Sequence, residues 1–242
     1  ILLLLTGVAP LLAWRRSTLA NLRDSFLYPV LFMAAVTAVF VGLGVRVWSS
    51  GICFALCAFV AATITQEFLR GARVRKEATG TDLFTAGVGL VMRERRRYGG
   101  YIVHLGIVLM YLGFAGEGFK TDQQMLLKLG QEATVRQFTV KNNGVKVTED
   151  AQKQMVTGHI LVTEDGKSLG TMYPARWFYK KHEDQPTTEV AIRRTVAEDL
   201  CLVMPAYELN DQSMSLQVVV TPLVNWIWAG FGILVLGTGI AL

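Results

Sequence analysis

Five stretches of the chain are almost wholly apolar, and they set its expected architecture. They are Ile1 to Ala13, Pro29 to Val47, Gly51 to Leu69, Gly99 to Phe119 and Pro222 to Leu242. A helix needs about twenty apolar residues to cross the hydrocarbon core of a bilayer, and the last four stretches reach that length. The first has only about a dozen, so we expect a truncated helix there. The pattern predicts a membrane α-helical bundle of about five transmembrane helices.

Residues 120–220 follow a different pattern, in which short segments alternate between apolar and polar positions. These segments are MLLKL, VRQFTV, VKVT, MVTGHILVT, LGTMYP, RWFYKK, TTEVAIRR, DLCLVM and SLQVVVT. Asn142-Asn143-Gly144 and Glu164-Asp165-Gly166 have the residues of tight left-handed turns, and the second is expected to close a hairpin. The sequence predicts an inserted all-β domain, a sandwich or barrel of about seven to nine strands. Residues 1–119 and 221–242 would hold the helices.

Basic residues concentrate in two of the connections between the apolar stretches. The connections after the first and third stretches hold eleven of them: Arg15, Arg16, Arg23, Arg70, Arg73, Arg75, Lys76, Arg93, Arg95, Arg96 and Arg97. The connection between the second and third stretches holds only Arg46. Because loops rich in Lys and Arg stay in the cytoplasm, this asymmetry predicts that residues 120–220 lie on the outer side of the membrane.

The composition agrees with a membrane protein, since 52% of the 242 residues are hydrophobic and 18% are charged. The net charge of +5 arises outside the β-domain, because residues 120–220 contain twelve Lys and Arg against thirteen Asp and Glu. Basic residues that serve as topological anchors argue against a nucleic-acid partner. The three cysteines are too few for a disulfide framework and form no CxxC motif.

One histidine, His104, lies inside the fourth apolar stretch. Intramembrane ionisable residues are candidates for ion, proton or cofactor sites, although a neutral histidine can also bond a neighbouring helix. Helical spacing places His104 in a stripe with Gly100, Ile107, Tyr111, Ala115 and Gly118, and no side chain lies one turn below the imidazole. A flat macrocycle bound through the imidazole needs that clearance. Histidine is a usual axial ligand of haem iron, so His104 is the candidate metal ligand. Close packing between helices is the competing explanation of the glycines.

The arginine cluster before this helix is expected to anchor it at the cytoplasmic face. Arg96 and Arg97 are in addition candidates to pair with a haem propionate, because a guanidinium fork matches a carboxylate and His104 is about two helical turns away. His159 and His182 lie in the β-domain without Cys, Asp or Glu at metal-ligand spacing. Ordinary strand and surface roles are therefore expected for both.

Several motifs resemble one known family. RRRYGGYIVHLGIVLMYLGFAG, residues 95–116, is similar to the most distinctive block of the CcmF family, the haem-lyase subunit of bacterial and some mitochondrial cytochrome c maturation systems. Further matches are PLLAWRR (10–16), TEVAIRR (188–194), DLCLVM (199–204) and PLVNWIWAG (222–230). Thr221 and Cys201 depart from the family, which favours Asn and Tyr there. The resemblance covers nearly the whole chain but only the C-terminal portion of a family member.

The resemblance implies a multi-pass protein of the bacterial inner membrane with a periplasmic β-domain. It implies a b-type haem (haem b) held by His104 and by a second histidine upstream of this chain. The task would be to reduce haem iron, with quinol as the donor. Haem from a CcmE-like chaperone would then be joined by thioether bonds to apocytochrome c, with a CcmH-like subunit as a further partner. This chain alone is not expected to catalyse the ligation.

Two other functions remain open from the sequence. The chain would serve as a b-haem electron-transfer anchor without lyase activity if the complete protein lacked a Trp-rich outer loop and outer histidines. It would be a haem-free membrane scaffold or transporter if His104 only packed against neighbouring helices. The presence of b-type haem in the complete protein separates the second possibility from the others.

Overall fold

The computed structural model describes Leu3, Leu5 and residues 19–242, and the chain divides into two compact units. One unit holds the helices up to Phe119 together with residues 223–242, and the other is Lys120–Pro222. The predicted apolar stretch 1–13 lies outside the described residues apart from Leu3 and Leu5, as does the PLLAWRR motif.

The first unit is helical. Its helices from residue 19 onward are α1 (Leu19–Gly42), α2 (Trp48–Thr79), α3 (Leu83–Arg93), α4 (Arg95–Gly116) and α5 (Asn225–Ala241), and a 3-10 turn follows α4 at Glu117–Phe119. Within the described part of the chain, α1, α2 and α4 are long and apolar enough to cross a membrane. The 17 residues of α5 would span about 26 Å, close to the hydrocarbon thickness. A helical membrane part with an inserted β-domain is the fold class that the sequence predicts.

The basic segment between α2 and α4 differs from the predicted loop. The second helix continues ten residues beyond Leu69, and residues 83–93 form the separate helix α3. Asp82 caps α3 by accepting a hydrogen bond from the Thr85 backbone amide at 3.0 Å. Hydrogen bonds from Thr85 lower the pKa of the Asp82 carboxyl, so it is ionised at neutral pH. Two glycines within LFTAGVGLVMR weaken its helical signal in the sequence, which explains the missed helix.

A row of glycines joins α4 to α5. This glycine seam consists of Gly99, Gly106 and Gly113 on α4 and Gly230 and Gly237 on α5. A Cβ atom placed on Gly106 would lie 2.6 Å from the Gly230 carbonyl oxygen, and one on Gly237 would lie 2.6 Å from the Val103 backbone nitrogen. The two backbones are therefore in direct contact, as in small-residue packing of membrane helices.

A different face of α4 packs on α2. The buried residues of this contact are Cys57, Phe59, Val60, Ile64, Tyr98, Tyr101 and Val108. The thiols of two α2 cysteines donate to α4 carbonyl oxygens, Cys53 to Tyr111 at 3.5 Å and Cys57 to Val108 at 3.7 Å. These thiols act as small packing groups with weak polar contacts.

The second unit is a β-sandwich. Within Lys120–Pro222, all of which is described in backbone, the ten strands are β1 (Thr121–Leu127), β2 (Glu132–Val135), β3 (Phe138–Glu149), β4 (Lys153–Glu164), β5 (Lys167–Met172), β6 (Ala175–Tyr179), β7 (His182–Glu189), β8 (Ala191–Arg194), β9 (Glu198–Glu208) and β10 (Ser213–Pro222). One antiparallel sheet has the order β1-β10-β9-β8. The other has the order β2-β3-β4-β6-β7, with β5 paired to β4. Alternate residues face the shared core, among them Leu200, Leu202, Met204, Leu216 and Val218.

The turn chemistry of this unit is partly as predicted. Asp165 and Gly166 have φ values of 46° and 83° and join β4 to β5, which confirms the expected hairpin. The predicted turn at Asn142-Asn143-Gly144 is wrong, because β3 runs through it and the register against β4 shifts there. Gly144 adopts a φ of 110°, which makes this a glycine bulge.

Two predicted strands are each divided by the structure. VRQFTV contains a hairpin turn, because Arg136 has a φ of 55° and Val135 pairs with Phe138. TTEVAIRR is divided at Val190, so that β7 joins one sheet and β8 joins the other. Both segments are continuous in β-propensity, and the breaks depend on pairing partners far away in the sequence.

The Asn142 side chain forms the buried hydrogen bonds at the bulge, and its substitution tests how much they stabilise the sandwich. Its side chain is 0% exposed, donates to the Leu127 and Gln212 carbonyl oxygens at 2.9 Å each, and accepts from the Gly144 amide at 2.8 Å. We expect Asn142→Ala to destabilise the sandwich by about 3 kcal/mol, because three buried backbone groups lose their partner. Pulse proteolysis in urea measures the change. The exposed neighbour Asn143→Ala serves as control, and an equal effect of both substitutions would contradict the assigned role.

Candidate functional site

Helix α4 presents a third face that neither α2 nor α5 covers. The glycine seam faces α5, and Tyr98, Tyr101 and Val108 face α2. At 100° per residue, His104 and the other predicted stripe residues fall between these two faces. Phe114, on the same side, is 55% exposed. The part of the predicted stripe near Gly100 thus lies on a side of α4 that the glycine seam and the α2 contact do not occupy, whereas Ala115 is buried at 6% exposure.

His104 lies on this face with its ring partly buried. Its Nδ1 atom is buried and has no hydrogen-bond partner in the described structure. A buried imidazole nitrogen without a partner is unfavourable by about 1–3 kcal/mol, so such an atom points to a missing ligand or neighbour.

Gly100 and the seam glycines differ in what surrounds them. A Cβ atom on Gly100 would have nothing within 4 Å, whereas one on Gly99 would lie 2.8 Å from the Ala241 backbone nitrogen. Helix packing therefore accounts for Gly99, Gly106 and Gly113 but not for Gly100. One helical turn below His104, the face of α4 is open.

The remaining stripe residues have mixed roles. Ile107 is partly buried on the open face. The Tyr111 ring contacts the Phe114 ring at a centroid distance of 6.4 Å. Tyr111 is partly buried and packs against the buried residues between α2 and α4. Gly118 lies against α2, since a Cβ atom there would be 2.7 Å from the Val47 side chain. Close packing thus explains Gly118, and the open part of the stripe runs from Gly100 to Tyr111.

Arg97 already has partners. Its Nη2 donates to Glu67 Oε2 at 2.8 Å and its Nε donates to the Tyr101 hydroxyl at 3.1 Å. The Glu67 side chain is only 8% exposed and also lies 3.6 Å from Arg70. Sequence reasoning missed Glu67, and the available signal was an acidic residue near the end of an apolar stretch. Arg96 and Arg97 are both exposed.

Among the described side chains of the β-sandwich, the histidine has an ordinary packing contact. The His159 ring stacks edge-on against Tyr173 at 5.1 Å, which fits the expected strand role. The side chain of His182 lies outside the described residues, although its backbone begins β7. Among the described residues, no three His, Cys, Asp or Glu side chains lie together as a metal site.

The open face of α4 therefore combines one unsatisfied imidazole with space on the side towards Gly100. A single histidine beside the open position at Gly100 is compatible with axial ligation of a porphyrin iron, and the described residues around it offer no set of ligands that could hold a metal ion alone.

Comparisons with known proteins give a consistent result. The family model described as "CcmF C-terminal beta-sandwich" matches residues 118–222. The cytochrome c-type biogenesis protein CcmF of Haemophilus influenzae is 27% identical over 97% of this chain and 35% of its own length. The Escherichia coli protein of the same name is 25% identical over 97% of this chain and 34% of its own length. This chain thus spans about a third of the length of these curated relatives.

A solved structure shares the fold of both units. It is named "Cytochrome c Heme Lyase CcmF", and it matches 99% of this chain and 38% of its own chain with a TM-score of 0.79 and 24% identity. The helical part and the inserted sandwich therefore occur together in a known protein. Residues 118–222 match the model of the CcmF C-terminal β-sandwich, and the whole chain is similar to about a third of the length of CcmF proteins.

Proposed function

We propose that this chain forms part of a haem-handling membrane subunit in cytochrome c biogenesis, in which His104 supplies an axial nitrogen to haem iron. The observation that carries the proposal is the position of His104 one helical turn from Gly100, where α4 is open, with no hydrogen-bond partner for its buried Nδ1 in the described structure. The similarity to proteins named for cytochrome c biogenesis supports the same process.

Each residue around His104 has its own proposed role in binding the haem. The imidazole provides the ligand, Gly100 leaves room for the ring edge, and Ile107 and Tyr111 provide apolar and aromatic walls. Arg97 already donates to Glu67 through Nη2 and to Tyr101 through Nε and keeps fewer free donors, so Arg96 is the better partner for a propionate. When bound, haem b supplies one-electron redox chemistry.

Only one axial ligand is proposed for this chain. The second histidine would come from upstream in the complete protein, as the resemblance implies. Reduction of iron in this membrane site, with quinol as the donor, would prepare haem for thioether attachment to apocytochrome c. A CcmE-like chaperone and a CcmH-like subunit are the proposed partners of the complete protein, and this third of it is not expected to act alone.

The proposed orientation in a bacterial inner membrane follows from charge. Eight of the basic residues, Arg70, Arg73, Arg75, Lys76, Arg93, Arg95, Arg96 and Arg97, lie on α2, α3 and α4 between residues 70 and 97. The positive-inside rule favours a cytoplasmic location for this segment and hence a periplasmic location for the β-sandwich.

Filling the space at Gly100 tests the site without touching the ligand. We expect Gly100→Leu to leave membrane insertion intact and to lower b-type absorbance of the complete protein about tenfold, because the added side chain occupies the space beside the imidazole. Gly232→Leu on α5 is the matched control, since a Cβ atom there also has nothing within 4 Å. Full absorbance in the Gly100→Leu protein would mean that no ring lies at this position.

A further inference from the structure

A cleft rich in arginine lies among α2, α3 and α4. It has a volume of about 370 Å³. Its charged lining residues are Glu67, Arg70, Arg75, Arg93, Glu94 and Arg97. We call it the arginine cleft. Neither His104 nor Gly100 contributes to it.

The charge of the arginine cleft favours an anion. Four arginines and two glutamates line it, which leaves a net charge of +2. One carboxylate, that of Glu67, is shared by Arg97 at 2.8 Å and Arg70 at 3.6 Å. Each guanidinium has five N–H donors, so donors remain after these ion pairs are made. A phosphate group accepts such donors in pairs.

Two glycines shape the walls of the cleft. A Cβ atom on Gly89 would lie 2.8 Å from both Nε and Nη2 of Arg75, so the Arg75 guanidinium rests directly on the α3 backbone. A Cβ atom on Gly71 would lie 2.6 Å from the Leu90 side chain and would also clash with the Tyr98 hydroxyl. Helices α2 and α3 can therefore approach closely while Arg75 stays beside the cleft.

Helix α3 carries an exposed apolar stripe on its other side. Phe84, Val88 and Met92 follow helical spacing and are 81%, 47% and 63% exposed. Ala86, on the face towards the rest of the unit, is 1% exposed. At 11 residues α3 is about 16 Å long and too short to cross a bilayer. An amphipathic helix of this kind beside membrane helices is suited to the boundary between lipid headgroups and acyl chains.

We propose that the arginine cleft binds the headgroup phosphate of an anionic phospholipid. Basic pockets between membrane helices bind such headgroups, and each arginine near the surface contributes about 1 kcal/mol. The stripe lies on the opposite side of α3 from the cleft, and its exposure favours a position of α3 at the level of the lipid headgroups. This inference is independent of whether His104 binds haem.

Native mass spectrometry of the complete protein in detergent tests the proposal, with phosphatidylglycerol, phosphatidylcholine or inorganic phosphate added. We expect phosphatidylglycerol to bind, phosphatidylcholine to bind much more weakly, and phosphate alone to leave no adduct. Arg75→Gln and Arg93→Gln should each weaken phosphatidylglycerol binding about fivefold, and the double variant about thirtyfold. Arg46→Gln is the control, because Arg46 is exposed and lies in the connection between α1 and α2.

Three results would overturn the proposal. The first is equal binding of the two lipids, which would remove the role of charge. The second is a double variant that folds, as judged by its helical circular dichroism, and still binds phosphatidylglycerol as tightly as the parent. The third is a stable phosphate adduct without any lipid adduct, which would identify a soluble anion as the ligand.

Discussion

Replacement of His104 by alanine is expected to abolish the b-type band in a reduced-minus-oxidised spectrum of the complete protein. The substitution removes the only ligand that we assign to this chain, and an open face on α4 offers no substitute nitrogen among the described residues. Added imidazole should restore part of the band, because it can enter the space that the side chain leaves. The same variant should impair cytochrome c maturation while the protein stays in the membrane.

His159→Ala is the matched control for this experiment, since His159 lies in strand β4 and its ring packs against the Tyr173 ring. It should leave the band unchanged. An unchanged band in the His104 variant would move the ligand elsewhere. Absence of a b-type band in the parent protein would leave the haem-free scaffold, and loss of the variant from the membrane would indicate a packing role for His104.

A methyl group on Gly230 is expected to separate α4 from α5. The Cβ atom would lie 2.5 Å from the Gly106 carbonyl oxygen and 2.7 Å from the Met110 backbone nitrogen, and backbone atoms cannot rotate away as a side chain can. We expect Gly230→Ala to destabilise the helical unit by about 3 kcal/mol, at the upper end of the usual cost of overpacking. Thermal unfolding in detergent, followed by the accessibility of cysteines introduced on α5, measures this change.

Gly232→Ala provides the control within the same helix. Its Cβ atom would have nothing within 4 Å, and alanine favours a helix over glycine by roughly 1 kcal/mol. The control should therefore be neutral or slightly stabilising. Equal destabilisation by the two substitutions would show that helix propensity, rather than the glycine seam, decides the result.

Hydropathy was sufficient to predict the main features of the fold. A helix buried in lipid has a long continuous apolar run, whereas a strand of a sandwich alternates apolar and polar residues. Long apolar runs predicted α1, α2, α4 and α5, and alternation predicted the strands. The pattern could not show that VRQFTV turns at Arg136 or that β3 continues through Gly144. Those choices depend on the register against strands that lie far away in sequence.

The sequence could predict that His104 and Gly100 share one face of α4, but not what surrounds them. Helical spacing put His104 and Gly100 on one face, and the structure leaves that face open. The sequence could not distinguish Gly100 from Gly99, although only Gly99 lies against α5. It likewise could not show that Arg97 is occupied by Glu67, thirty residues earlier on another helix. Contacts between helices are set by packing, which no spacing along a single helix encodes.

The inserted sandwich enters and leaves through neighbouring strands. Thr121 at the start of β1 pairs with Val220 near the end of β10. Within the helical unit, a Cβ atom on Gly113 would lie 3.2 Å from the Leu223 carbonyl oxygen, so the two helix ends are also adjacent. A gene for a simple transmembrane hairpin could therefore acquire the sandwich at its turn with neither core rearranged.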